Sequence, residues 1–412
     1  MSPIFVASVE QVVAEIVQQV YVHQQRGGDR EGAQRLAELT LERLLSRGLP
    51  RETGPRGELL LDPYLAMNSL KARPGEAADE AWRAWVDASR VNATSLPVGP
   101  HRYRLTIERQ WRLPPLPANR PVVLRLPLPI RGALRGTPEV RLLEPEAVPF
   151  VRRDEAGRVE LRLDPALVRG RAHLEMKVEF VSGESFRVDE PGQIGLSAED
   201  RQIWLKPSEA LIAPSEKLTA LAGTLPGGSP RQTADAAFNH LLSVLRLGDL
   251  HRDHLASDDP LGGLLDSAWV DCALAANLFV ALCRTRGIPA RMVSGFLLHR
   301  AFPAPHFWAE ALLEDECWVP YDLGGWDYCE GDSADPQWGG FFRGRVDARF
   351  LAEVAPRGFT GWGSARPPNR WYRTFAPCEG GVAHTLHELP SREPFQADRL
   401  SLELLGPEAH SS

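Results

Sequence analysis

Helical periodicity in the first hundred residues, period-two alternation over the next hundred, and a cysteine-bearing helix followed by strands predict an α+β chain. Three regions follow from where the pattern changes. They are a helical N-terminal region over 1–95, a β-sandwich-like domain over 100–192, and a mixed region over 200–405 in which a helix packs on an antiparallel sheet. At 412 residues the chain exceeds one core of ordinary size, so several domains are expected.

Composition narrows the class. Hydrophobic residues at 43% and charged residues at 25% are ordinary globular usage, so each region can bury a core. The net charge is -7, from 47 basic against 54 acidic residues, and no basic block stands out, which argues against nucleic acid as the main partner. No apolar run is long enough for a membrane span, and Glu10 and Glu15 interrupt the apolar N-terminal segment, so a secretory signal is not expected and the cytoplasm is. The five cysteines, Cys272, Cys283, Cys317, Cys329 and Cys378, are sparse and odd in number. They fit reduced thiols better than a disulfide framework.

In the first region Ser8 and Gln11 form a capping-box pattern ahead of the stripe Val9, Val12, Val13, Ile16, Val17 and Val20. A second helix runs from about Asp29 to Arg47 and stops at Gly48 and Pro50. A third, "EAADEAWRAWVDASR", carries Trp82, Trp85 and Val86. Their apolar faces are expected to pack as core, with docking of a partner protein as the other use.

From Tyr103 to about Glu190, "YRLTIERQWRL", "VVLRLPLPI", "EVRLLEP", "RVELRLDP" and "AHLEMKVEFVS" alternate apolar and polar residues between Pro, Gly and acidic turns. Five short strands without intervening helices predict a sandwich. Beyond 200, "SPRQTADAAFNHLLSVLRL" reads as a helix. After Asp322 the chain is rich in Gly, Pro and Trp until the strand-like "LSLELL".

The chemistry concentrates in "AWVDCALAANLFVALCRTRGIPARMVSGF". A helix is expected from about Cys272 to Arg286, with Leu274, Leu278, Phe279 and Leu282 inward and Gly287 and Pro289 as the stop. Cys272 then lies in the first turn, where unpaired N–H groups and the helix dipole favour a thiolate. The strands "ARMVSGFLLH", "HFWAEALLE" and "CWVPYD" follow. A hairpin axis near Glu314 places His306 eight residues before it and Asp322 eight after, directly opposite on adjacent strands and able to hydrogen-bond. A thiolate, an imidazole and a carboxylate in that relation are the parts of an acyl-transfer triad.

These residues resemble the transglutaminase-like superfamily. The resemblance rests on the Cys at a helix start, "LFVALCRTRGIPARMVSGF" after it, "HFWAEALLEDECWVP" with W-A-E after the His, and "YD" closing the strand. It covers roughly 205–325 and implies a papain-like fold with Cys272, His306 and Asp322 as the catalytic triad. The alternating strands before it resemble the β-domain that precedes this core in some bacterial members. The chain departs from the family in having Asp271, where a glycine commonly precedes the Cys. That carboxylate opposes the thiolate if it points at sulfur, and is harmless if it turns away to cap the helix.

The Cys272 amide is the expected first oxyanion donor, with the indole of Trp269 a candidate for the second and Trp308 a candidate lining residue. No cofactor or metal is expected. His251 and His254 near Asp258 and Asp259, and Cys378 with His384 and His387, match no four-ligand zinc spacing. The same thioester gives hydrolysis with water and amide formation with an amine. The run of Trp269, Trp308, Trp318 and Trp326 around the triad, if it limits water, favours the amine. The acyl donor is then a carboxamide or a carrier-protein thioester. A cysteine protease or amidase, or a non-catalytic binding module, are the competing readings.

Overall fold

The computed structural model describes residues 7–13, 30–46, 48–62, 101–112, 122–126, 139–144, 150–153, 159–163, 170–182, 197–209, 211–247, 258–267, 269–298, 304–313, 318–324, 343–344, 349–354, 372–379, 382–388 and 394–407, with single positions 5, 16, 66 and 255. In the N-terminal region Ser8 accepts from the Gln11 amide at 3.2 Å while the Gln11 side chain accepts from the Ser8 amide at 2.8 Å, a reciprocal cap that starts a helical turn at 9–13. After β1 (Ala7–Ser8) comes α1 (Arg30–Ser46), which ends at Gly48 with φ 92° as the amides of Gly48 and Leu49 turn back to Leu45 and Leu44. The third expected helix, 76–90, lies outside the described residues.

The region is not helical throughout. β2 (Arg51–Thr53) and β3 (Leu59–Leu61) join β1 in a three-stranded antiparallel sheet, in the order β1-β3-β2. Two- and three-residue strands are too short to show alternation, so sequence periodicity misses them.

The next strands are β4 (His101–Arg112), β5 (Val122–Leu126), β6 (Glu139–Glu144), β7 (Phe150–Arg153), β8 (Val159–Leu163) and β9 (Arg171–Ser182). They divide between two antiparallel sheets, since β5, β8 and β7 pair among themselves while β4, β9 and β6 belong to a larger sheet. Alternation does what it predicts along β4 and β9. Tyr103, Leu105 and Ile107 of one and Leu174, Met176, Val178 and Phe180 of the other share a buried cluster. On the paired register Arg104 meets Glu179 at 2.6 Å and, across the next strand, Glu403 at 2.7 Å.

The third region opens with α2 (Ala198–Ile203), α3 (Glu216–Thr224) and α4 (Pro230–Val244), then β10 (Arg246–Leu247), α5 (Gly262–Ser267), β11 (Trp269–Val270) and α6 (Cys272–Thr285). Ser215 and Ser229 cap α3 and α4, the latter with a full capping box and Pro230 in the first turn. Helix α6 is buried on every side from Ala273 to Arg284, the signature of a helix at the centre of a core. It packs between α3 and α4 and the sheet built from β12 (Ala290–Leu297), β13 (Ala304–Leu312), β14 (Trp318–Tyr321) and β15 (Arg349–Val354), in the order β14-β13-β12-β15. Gly287, at φ 74°, lets the chain leave α6 as the Ile288 amide returns to the Cys283 carbonyl at 2.9 Å. None of the described helices is long and apolar enough to cross a membrane.

The C-terminal strands correct the expected extent of the third region. β16 (Tyr372–Glu379), β17 (Val382–Glu388) and β18 (Pro394–Pro407) do not extend the α6 sheet but complete the larger one, in the order β16-β17-β18-β4-β9-β6. β18 runs along β4 from Gln396↔Trp111 to Pro407↔His101 and adds Leu400 and Leu402 to its cluster. Cys378, read from the sequence as a loop residue, lies within β16. Without β18, β4 would present an unpaired edge. A chain ending at residue 371 is therefore expected to lose the melting transition of the six-stranded sheet and to aggregate. Unchanged melting and solubility would show that β18 is dispensable.

Candidate active site

Helix α6 and the sheet beneath it bring Cys272, His306 and Asp322 together. Cys272 is the first residue of α6 and is partly exposed, whereas His306 on β13 and Asp322 just after β14 are buried. The ring nitrogen Nε2 of His306 lies 2.9 Å from Oδ1 and 3.1 Å from Oδ2 of Asp322. The side chain of Cys272 acts on the same imidazole and favours its charged form. With Nε2 occupied by the carboxylate, Nδ1 is the nitrogen left for sulfur.

The pairing differs in register from the expected one. Ala309 faces Tyr321 and Leu312 faces Trp318, so paired numbers sum to 630 and the axis falls at 315. Continued along the strands, Asp322 stands opposite Trp308, and His306 opposite 324. The bond between His306 and Asp322 is thus diagonal, two residues out of direct opposition, which a long polar pair still spans.

Local packing holds each member. Tyr321, immediately before Asp322, is fully buried and stacks on Phe279 of α6 with ring centroids 4.6 Å apart, and its hydroxyl donates to Asp235 of α4 at 2.9 Å. Trp308 stacks on His306 at 6.2 Å and is buried with Val293. Burial, the largest influence on His306, disfavours the imidazolium, but the Asp322 carboxylate and the Cys272 side chain outweigh it together and push the group up to about 9.

Asp271 turns to the helix. It is the N-cap of α6, and its Oδ1 accepts from the Leu274 amide at 2.8 Å while its carbonyl accepts from Ala275. The carboxylate next to the nucleophile is thereby engaged at the helix end, which answers the concern its position raises. The side chain of Trp269 lies outside the described residues, as do His251, His254 and Trp326. Trp318 packs edge-on to Trp204 at 5.7 Å beneath the Arg291 guanidinium.

Two residues at the site were not singled out from the sequence. Gly324 abuts both reacting groups, since a Cβ there would sit 3.0 Å from Cys272 Cβ and 3.2 Å from His306 Cε1. The second is Arg349 on β15, whose Nη2 lies 2.8 Å from Asp322 Oδ2 with both side chains buried. The pair of glycines after "YD" was a possible cue to the first. Nothing near Arg349 marks the second.

Replacing Gly324 by Ala is expected to push Cys272 and His306 apart and to lower any activity of the site roughly 10²-fold, with melting little changed. Wild-type turnover in a folded G324A chain would contradict it. Asp271→Ala is expected to cost about 1 kcal/mol of stability through the lost cap, read by denaturant unfolding.

Residues 222–323 match the transglutaminase-like superfamily core. Among solved structures, a chain from Cytophaga hutchinsonii described as a candidate cysteine protease shares 14% identity, with a TM-score of 0.42 over 74% of this chain and 98% of that one. The periplasmic domain of TgpA from Pseudomonas aeruginosa shares 15%, with a TM-score of 0.32 over 56% and 91%. No protein with a curated description matches the chain. The matched segment is the one that carries Cys272, His306 and Asp322.

Proposed function

We propose that the chain is a cysteine acyltransferase that works through a thioester on Cys272 and passes the acyl group to an amine. The observation that supports it most is the buried His306, bound to Asp322 at 2.9 Å and held in its charged form by Asp322 and by Cys272 at the start of α6. Cys272 Sγ attacks the donor carbonyl carbon. The bond to the leaving amine or thiol breaks as His306 returns its proton to that group, and the acyl group stays on sulfur.

A primary amine then attacks the thioester, His306 takes its proton, and the Cys272 thiolate departs. The amide of Cys272 lies in the first turn of α6, outside the helix's own hydrogen-bond ladder, and is the donor assigned to the carbonyl oxygen as it gains charge. The match of 222–323 to the transglutaminase-like core supports cysteine-based acyl chemistry here, and within it we read an amine as the acceptor and a carboxamide or carrier-bound thioester as the donor.

Intact mass spectrometry of the chain incubated with glutamine-containing peptides and with acyl thioesters tests the reading. An acyl adduct is expected on Cys272 and on no other cysteine, absent in Cys272→Ala and formed roughly 10²–10⁴-fold more slowly in His306→Ala. Added primary amine should discharge the adduct faster than water does. Discharge indifferent to amine would make the chain a cysteine hydrolase, and no adduct with either donor would count against the acyl-transfer reading.

The pH dependence follows from His306. Its imidazolium form, which pairs with the thiolate and supplies the proton to the leaving group, is present below about 9 and lost above it. Adduct formation should accordingly fall as pH rises through that value. An alkaline limb near 6.5, the ordinary histidine value, would mean that Asp322 does not support the ring.

A further inference from the structure

We infer that Arg349 is a positioning residue of this site: it holds the Asp322 carboxylate in the orientation His306 requires, and the β4–β9 sheet holds Arg349 in turn through Ser182. The inference rests on the reading of Cys272, His306 and Asp322 as one catalytic unit. Asp322 is fully buried, and its Oδ2 is shared between His306 at 3.1 Å and Arg349 at 2.8 Å. Burying a carboxylate charge requires charged or hydrogen-bonding partners fixed in place around it.

The charges balance through the proposed cycle. At rest, the thiolate and imidazolium cancel, as do Asp322 and Arg349. In the acyl-enzyme the thiolate is consumed and the imidazolium has lost its proton, and Asp322 and Arg349 still cancel. Without Arg349 both states lose the buried cation that faces the Asp322 carboxylate. The charged groups that bear directly on His306 are Cys272 of α6 and Asp322 at the end of β14, and Arg349 of β15 reaches it through Asp322; its paired neighbour on β12 is Gly295.

Arg349 is anchored at its backbone. Its carbonyl accepts a hydrogen bond from the buried Ser182 hydroxyl at the end of β9, and its register partner on β12 is Leu297. Phe296 and Leu298, on either side of Leu297, are buried in the cluster of Tyr103, Phe180 and Leu402. The sheet of β4 and β9 therefore grips both strands at the point from which the guanidinium reaches Asp322.

Titration of His306 by histidine-selective NMR, alongside acyl-transfer kinetics, tests this on the full chain. Arg349→Met should raise the His306 midpoint by about one pH unit, because the Asp322 charge is no longer offset. It should lower kcat roughly 10²-fold with KM little changed. Arg349→Lys should restore the midpoint and part of kcat, since it supplies the charge without the planar fork. Ser182→Ala should lower kcat less, in the same direction. A folded Arg349→Met chain whose midpoint is unmoved or lowered would overturn the inference.

If Arg349→Met does not fold, Asp322→Asn/Arg349→Met decides. With both charges gone it should melt no lower than Asp322→Asn alone, and a double variant that fails where Asp322→Asn folds would overturn the inference. The titration needs no turnover. Failure of acyl transfer with a shifted midpoint would strike only the proposed function, and an unmoved midpoint in an adduct-forming enzyme only the role of Arg349.

Discussion

A fully buried carboxylate is the constraint around which this site is arranged. Asp322 has no exposed surface, and burying its charge requires partners of fixed geometry, which come from three different elements. His306 is supplied by β13 and Arg349 by β15, while the backbone that carries Asp322 is pinned by Tyr321 against Phe279 of α6. Each partner in turn needs the sheet order β14-β13-β12-β15 and the packing of α6 across it.

The central helix serves two demands at once. As the hub of its core it is buried all round from Ala273 to Arg284, and its far end is secured by the Arg284 guanidinium on Glu209 at 2.9 Å and on the Ala290 carbonyl. Its near end stops short of that burial, so that Cys272 keeps partial exposure beside a buried imidazole. Capping by Asp271 defines that end, and Gly324 keeps the space next to sulfur clear. The far end of β12 enters the cluster of β4 and β9, so the two regions share core residues and are not merely tethered.

What could be read from the sequence was local. The capping box at Ser8, the helix stop at Gly48, the alternation of β4 and β9, and the span of α6 from Cys272 are each written within a few residues and appear where expected. That Cys272, His306 and Asp322 lie together was legible because motif and helix end coincide. Three features were not. The return of β18 to β4 joins residues nearly 300 apart, the register of β13 on β14 depends on how the intervening turn closes, and the reach of Arg349 to Asp322 crosses a sheet. None of these leaves a periodic trace. Trp308 and Trp318 near the motif have packing partners in Val293 and Trp204, a role that aromatic side chains take up as readily as a place in a cleft.

The central claim is that the thiol of Cys272 is activated by a buried imidazole that Asp322 keeps charged. Carboxamidomethylation of the intact chain by iodoacetamide at pH 6, with each cysteine followed by peptide mass mapping, reads this directly. The account predicts that Cys272 reacts well ahead of every other cysteine, and that in His306→Ala its rate falls to theirs. Equal labelling of Cys272 with the others, or a rate untouched by the loss of His306, would contradict it.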